Sequence, residues 1–140
     1  MKESPIFVRT YDLLNWLIPH TLQFPRQQRF VLAQAVQQAA FALHEQLVQA
    51  AYATEPLPWL RQADVTLTRL RIYLRLCRDW KLLSLRQHAH AAGLVDEIGK
   101  MLGSWIKSNT LPAGPPAAAE RSGGRTREAR APARTATAGD

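Results

Sequence analysis

Arg71, Arg75 and Arg78 are spaced by four and then three residues within the run Leu70-Arg71-Ile72-Tyr73-Leu74-Arg75-Leu76-Cys77-Arg78-Asp79. On an α-helix that spacing sets three guanidinium groups along one face. A guanidinium presents a planar fork of donors that fits phosphate bidentately, so a row of three suits contact with a nucleic-acid backbone. Arg61, Asp64 and Thr68 extend the row toward the start of the same helix, and Arg69 lies off it. Lys81, Arg86, Lys100 and Lys107 are placed to enlarge the patch from the next helix. The competing reading is a solvated helix face with local pairs such as Arg75–Asp79. The spacing does not distinguish RNA from DNA.

Other chemistries find less support. A carboxylate-bridged metal site in a bundle needs Glu-x-x-His pairs projecting inward. Asp12, Glu45, Glu55, Asp64, Asp79, Asp96 and Glu97 all lack a histidine three residues later. His88 and His90 are two apart and point to different helix faces, and His44 sits beside Glu45 instead of one turn away. His20, His44, His88 and His90 therefore read as surface or helix-end residues, and no metal or other cofactor is expected. Cys77 falls on an apolar seam, where a structural thiol is the simplest reading. As the single cysteine it forms no intrachain disulfide and gives no sign of an oxidising compartment. Gly93, Gly99 and Gly103 lie inside a helical pattern, not in a phosphate loop. The expectation is a protein without catalytic activity.

Gly99 and Gly103 are four apart and share a helix face. Glycine inside a helix costs about 1 kcal/mol relative to alanine, and close backbone approach is the usual compensation. With Trp105 they are assigned to helix packing, leaning toward a helix crossing or a contact between subunits.

The apolar periodicity gives four helices to carry these residues, with no credible strand. The first runs from about Ile6 to Ile18 on a stripe of Phe7, Tyr11, Leu14, Leu17 and Ile18, and Pro19 makes continuation costly. Phe24-Pro25 marks a restart, and the second helix spans about Arg26 to Ala53 on Leu32, Val36, Ala39, Leu43, Leu47 and Ala50. Pro56 and Pro58 separate it from the third, about Trp59 to Leu82, whose seam of Leu60, Ala63, Leu67, Leu70, Leu74 and Cys77 is heptad-like. Ser84 is a plausible N-cap for the fourth, which reaches about Lys107 with Leu94, Val95, Ile98, Met101, Leu102, Trp105 and Ile106 inward. Helices of roughly 24 residues are about 36 Å long, and short connections make neighbours antiparallel. The expected fold is all-α: an antiparallel up-down-up-down four-helix bundle over residues 1–108. Residues 109–140 form a disordered tail rich in Pro, Ala, Gly and Arg, which cannot bury enough apolar surface to offset its ordering entropy. That tail is either solvated without a specific role or a source of weak phosphate contacts through Arg121, Arg125, Arg127, Arg130 and Arg134.

The totals agree with a polyanion partner. The 140-residue chain has a net charge of +7, and 13 of its 18 Lys+Arg but 8 of its 11 Asp+Glu fall at or before Lys107, so most of the excess belongs to the bundle. No apolar run is long enough for a signal peptide or membrane span, and the expected location is cytoplasmic.

Four segments carry a resemblance: Tyr11-Asp12-Leu13-Leu14-Asn15-Trp16-Leu17, Phe24-Pro25-Arg26-Gln27-Gln28-Arg29-Phe30, Leu70 through Asp79, and Asp96-Glu97-Ile98-Gly99 through Trp105-Ile106-Lys107. Over roughly Phe7 to Ser108 the chain resembles the accessory variability determinant (Avd) family of diversity-generating retroelements. That four-helix bundle family also includes proteins encoded in intervening sequences of bacterial large-subunit ribosomal RNA. The resemblance implies a non-enzymatic homopentamer that binds a reverse transcriptase and template RNA, with DNA as a further candidate partner, in support of mutagenic reverse transcription. It would give the basic contact to Arg71, Arg75 and Arg78, with Arg26 and Arg29 as secondary candidates; Arg86 joins the binding candidates through its place on the next helix. The alternative is a bundle of the ribosomal intervening-sequence type, or a self-assembling scaffold without a specific RNA duty. The second helix is poor in charge between Arg29 and Glu45, and the tail from about Leu111 has no counterpart in the family pattern.

Overall fold

A computed structural model describes residues 4–110; Asn109 and Thr110, expected at the start of the tail, instead end the last helix, and the rest of the expected tail lies outside the described residues. The first helix, α1, is Pro5–Thr21. The second arm is built from α2, Arg26–Gln28, a π-helical turn over Arg29–Ala33, and α3, Gln34–Tyr52. The third arm, α4, is Leu57–Asp79, and the fourth, α5, is Leu85–Thr110. Around the bundle α1 neighbours α3, α3 neighbours α4, α4 neighbours α5, and α5 closes back on α1. The result is the all-α four-helix bundle expected from the periodicity.

The two middle arms follow their apolar repeats closely. Leu32, Val36, Ala39, Leu43, Leu47 and Ala50 are all buried, as are Leu60, Ala63, Leu67, Leu70, Leu74 and Cys77. Burial pushes the Cys77 thiol up to about 12, because the thiolate would have to form without solvent, which leaves it inert in neutral water. On α5, Val95, Ile98, Leu102 and Trp105 are buried, with Leu94, Met101 and Ile106 packed at the margin.

The first helix departs from expectation in two ways. Its core positions are Ile6, Thr10, Leu13, Leu17 and Thr21, while Tyr11 is 64% exposed. The threonines enter the core because their hydroxyls are satisfied locally: Thr10 Oγ1 donates to the Ile6 carbonyl and Thr21 Oγ1 to the Ile18 carbonyl, both at 2.7 Å. Thr21 also accepts a 2.9 Å bond from Gln37 Nε2, tying α1 to α3. Second, the helix runs through Pro19 to Thr21. The bond that proline removes would have reached the carbonyl of Asn15, an exposed residue that water can serve. The His20 imidazole meanwhile donates from Nδ1 to the Trp16 carbonyl at 2.7 Å, so side-chain bonds hold the last turn together.

The π turn has no counterpart in the sequence-level expectation of one unbroken helix. The Gln34 N–H donates to the Arg29 carbonyl, five residues back, which inserts one extra residue into the turn. Phe30 and Val31 are left facing outward, at 76% and 64% exposed, while Leu32 and Ala33 stay in the core.

The turn between α4 and α5 sets the register of the last two arms. Lys81 has φ 63°, the Lys81 N–H donates to the Arg78 carbonyl at 3.0 Å, and the Leu82 N–H donates to the Cys77 carbonyl at 2.8 Å. This is a Schellman ending with lysine at the left-handed position that glycine usually fills. Ser84 then starts α5 through a reciprocal capping box: the Gln87 N–H donates to Ser84 Oγ at 3.0 Å, and the Ser84 N–H donates to Gln87 Oε1 at 2.9 Å.

Candidate nucleic-acid interface

Because α4 and α5 are antiparallel neighbours joined by a tight turn, residues equally far from that turn meet across the seam. The arginine row of α4 therefore opens toward the first half of α5. A groove of about 180 Å³ runs between them, with Arg71, Arg75, His88 and Asp96 on its rims and Leu74, Ala92 and Val95 as its floor.

The three arginines are in different electrostatic states. Arg71 Nη2 reaches Asp96 Oδ1 at 3.4 Å, a long contact to a mostly exposed carboxylate. Arg78 is held by its neighbour Asp79, with Nε at 3.0 Å and Nη2 at 2.9 Å from the same oxygen. Asp79 thus pairs with Arg78, not with Arg75. Arg75 has no hydrogen bond or ion pair among the described residues, and it is exposed at the centre of the row. Its charge is the one most available to an incoming anion.

Gly99 explains where Arg71 sits. A Cβ at position 99 would lie 2.8 Å from Arg71 Nη2 and 3.4 Å from Leu67 Cδ2, so glycine leaves room for the guanidinium to lie against α5. That is a helix-crossing role within the subunit. Gly103 differs, since a Cβ there would meet nothing within 4 Å, and the residue faces outward. Trp105 is buried in this subunit's own core with its ring edge-to-face against Phe7 at 6.5 Å.

His88, which sequence reasoning placed among unremarkable surface histidines, lines the groove. Partial burial lowers its proton affinity below the ordinary value, the Arg78 and Arg75 charges lower it further, and Asp79 opposes them. Its position was recoverable by counting outward from the turn near Leu82, which puts Arg75 and His88 at similar distances on facing helices. The Arg71–Asp96 pair lies farther out on the same two helices and bridges a small offset with the long arginine side chain.

The secondary candidates gather at one end. The α1–α2 and α4–α5 turns lie at the same end of an up-down-up-down bundle, so Arg26, Arg29, Arg78, Lys81 and Arg86 share it. Between Ile18 and Leu32, and between Leu74 and His90, the only carboxylate is Asp79. Arg26, Arg29 and Arg86 are exposed, and Arg29 Nε also donates to the Phe24 carbonyl at 3.1 Å across the turn. Leu22, Phe30, Val31, Trp80 and Leu85 are exposed apolar side chains of the same turns, a feature the periodicity did not reveal.

Among the described residues, no three His, Cys, Asp or Glu side chains are grouped to hold a metal ion, and no helix is long and apolar enough to cross a membrane. No curated protein matches the chain. A family model described as bAvd-like matches residues 6–109. That match takes in all four arms of the bundle and well over half of the chain, and the chain therefore belongs to the bAvd-like family, consistent with an accessory variability determinant.

Proposed function

We propose that this protein is a non-catalytic accessory subunit of a diversity-generating retroelement that binds template RNA and reverse transcriptase as a homo-oligomer, in the family manner a pentamer, in the cytoplasm. Family membership supports the accessory role in the retroelement context. The observation that carries RNA binding is the α4 arginine row, above all Arg75, which no carboxylate among the described residues neutralises.

Arg75 and Arg71 line the groove, Arg78 continues the row to the turn, and Arg86, Arg26 and Arg29 carry the positive field around that end of the bundle. Such a surface binds phosphates with release of condensed counterions, so affinity falls steeply with salt. The exposed apolar side chains beside these cations give the polymerase a surface of mixed character, as protein interfaces usually have.

Light scattering on the size-exclusion peak, with and without the cognate reverse transcriptase and a structured RNA, tests the reading. A pentamer-sized particle that grows with both supports it. A monomer indifferent to both contradicts it. Genomic position separates the ribosomal intervening-sequence alternative, since a neighbouring reverse-transcriptase gene with a repeat pair favours the retroelement role.

A further inference from the structure

We propose that the α4–α5 groove seats a single phosphate group between Arg71 and Arg75, with His88 as a proton-dependent third donor and Asp96 as an internal placeholder on Arg71 that the phosphate displaces. The proposal rests on the RNA-binding reading for its biological ligand, but the seat itself is defined by the groove.

The groove's size admits the ligand. Its volume of about 180 Å³ leaves room for an oxyanion with a little water. The rims set the charge. Arg75 has no partner among the described residues, while Arg71 has only the 3.4 Å contact to Asp96 and is laid over the gap at Gly99. A phosphate between two guanidinium groups gains charge-assisted bonds that the Asp96 contact is too long to match. Asp96 is exposed and free to turn outward once displaced.

The proton follows from the neighbours of His88. From α4 it faces Arg75, Arg78 and Asp79, and Asp96 shares its groove on α5. The other helix packed on α5 is α1. It brings Arg9 and Asp12 toward Glu97 and sets Trp16 at a tilt against His90, away from this groove. In the free groove an imidazolium is disfavoured by burial and by the arginines. A bound phosphate screens those arginines and accepts a bond from the imidazolium, so each favours the other. Phosphate binding therefore takes up a proton, and affinity rises as pH falls through the histidine range.

The test uses the full chain and two probes. Affinity for a fluorescein-labelled single-stranded RNA is measured at constant ionic strength between about pH 5 and 8. The imidazole resonances are titrated in inorganic phosphate and in chloride of equal ionic strength. The wild type is expected to bind RNA about three- to tenfold tighter at the acid end. His88→Gln should match it at the alkaline end and lose the acid gain, although His20, His44 and His90 remain. Asp96→Asn should bind about two- to threefold tighter throughout, by removing a competing carboxylate. Phosphate should raise the titration midpoint of His88 alone.

Retention of the full acid gain by His88→Gln overturns the seat, as does a His88 midpoint indifferent to both phosphate and RNA; either result leaves RNA binding standing. A wild type that ignores RNA at every pH while phosphate still raises the His88 midpoint upholds the seat for free phosphate and removes the RNA reading. Circular dichroism melts confirm that each variant is folded.

Discussion

The helix α5 is flanked by two grooves, and they treat their cations differently. On the α1 side, Pro5, Val8, Arg9, Glu97, Lys100 and Met101 line an open groove of about 550 Å³. There Arg9 is doubly paired, with Nη1 at 2.8 Å from Asp12 and Nε at 2.9 Å from Glu97. On the α4 side, Arg75 has no ion pair among the described residues and Arg71 is weakly paired across a smaller groove. Net charge alone would rate both sides as basic surface. Pairing separates the two arginines, because an anion at Arg9 must displace two carboxylates, whereas one at Arg75 displaces none among the described residues; Lys100, the other cation of the α1-side groove, makes no ion pair there. The lesson is that an anion site is read from cations left unneutralised, not from cations counted.

The strongest blow to that contrast is charge reversal along α4. Changing Arg71, Arg75 and Arg78 together to Glu is expected to weaken RNA binding by at least about a hundredfold. All three side chains lie at the surface, so the thermal melt should stay within about 1 kcal/mol of wild type. Filter binding and a circular dichroism melt check both halves.

Gly99→Ala sharpens the contrast from the other helix. Removing an interior glycine should raise stability by up to about 1 kcal/mol, less whatever Leu67 must give. The added methyl also pushes Arg71 off its perch, and RNA affinity should drop about threefold to tenfold. Opposite signs in melt and affinity are the signature. Gly103→Ala, with open space around it, should show the gain in stability and no loss of binding.

Glu97→Ala probes the quiet groove. The Arg9–Glu97 pair is well exposed on both sides, so its loss should cost under about 1 kcal/mol. RNA affinity should rise by no more than about threefold, since Asp12 still holds Arg9. Lys81→Gly relieves the positive φ at the α4–α5 turn and should stabilise the fold by about 1 kcal/mol, read from the chemical denaturation midpoint.

Much of the architecture was legible from apolar spacing alone. Leu60 through Cys77 and Leu32 through Ala50 give unmixed stripes, and such stripes have one buried solution. On α1 the same reasoning chose Tyr11 over Thr10, because a threonine whose hydroxyl bonds back to its own helix carries no apolar signature. The π turn at Arg29–Ala33 leaves no residue-type signal, since it changes the hydrogen-bond register and not the composition. For the site, one helix's worth of chemistry was visible. Arg71, Arg75 and Arg78 declare a face by spacing, and Gly99 declares a close approach. The partners did not show, because Asp96 and His88 join the row only through the cross-helix register that the Lys81 turn and the Ser84 capping box impose. Gly103 looks identical to Gly99 in sequence and differs only in what stands opposite.

The most direct test neutralises one cation on each side of α5. Arg75→Gln and Arg9→Gln each remove a single positive charge from an arginine on a neighbouring helix, and RNA affinity is measured for both across a salt series. Arg75→Gln is expected to lose about tenfold and to lower the log-affinity against log-salt slope by about 1, while Arg9→Gln stays within about twofold with an unchanged slope. Equal losses in the two variants would mean that RNA senses only the net charge of the bundle, and would contradict an α4–α5 site.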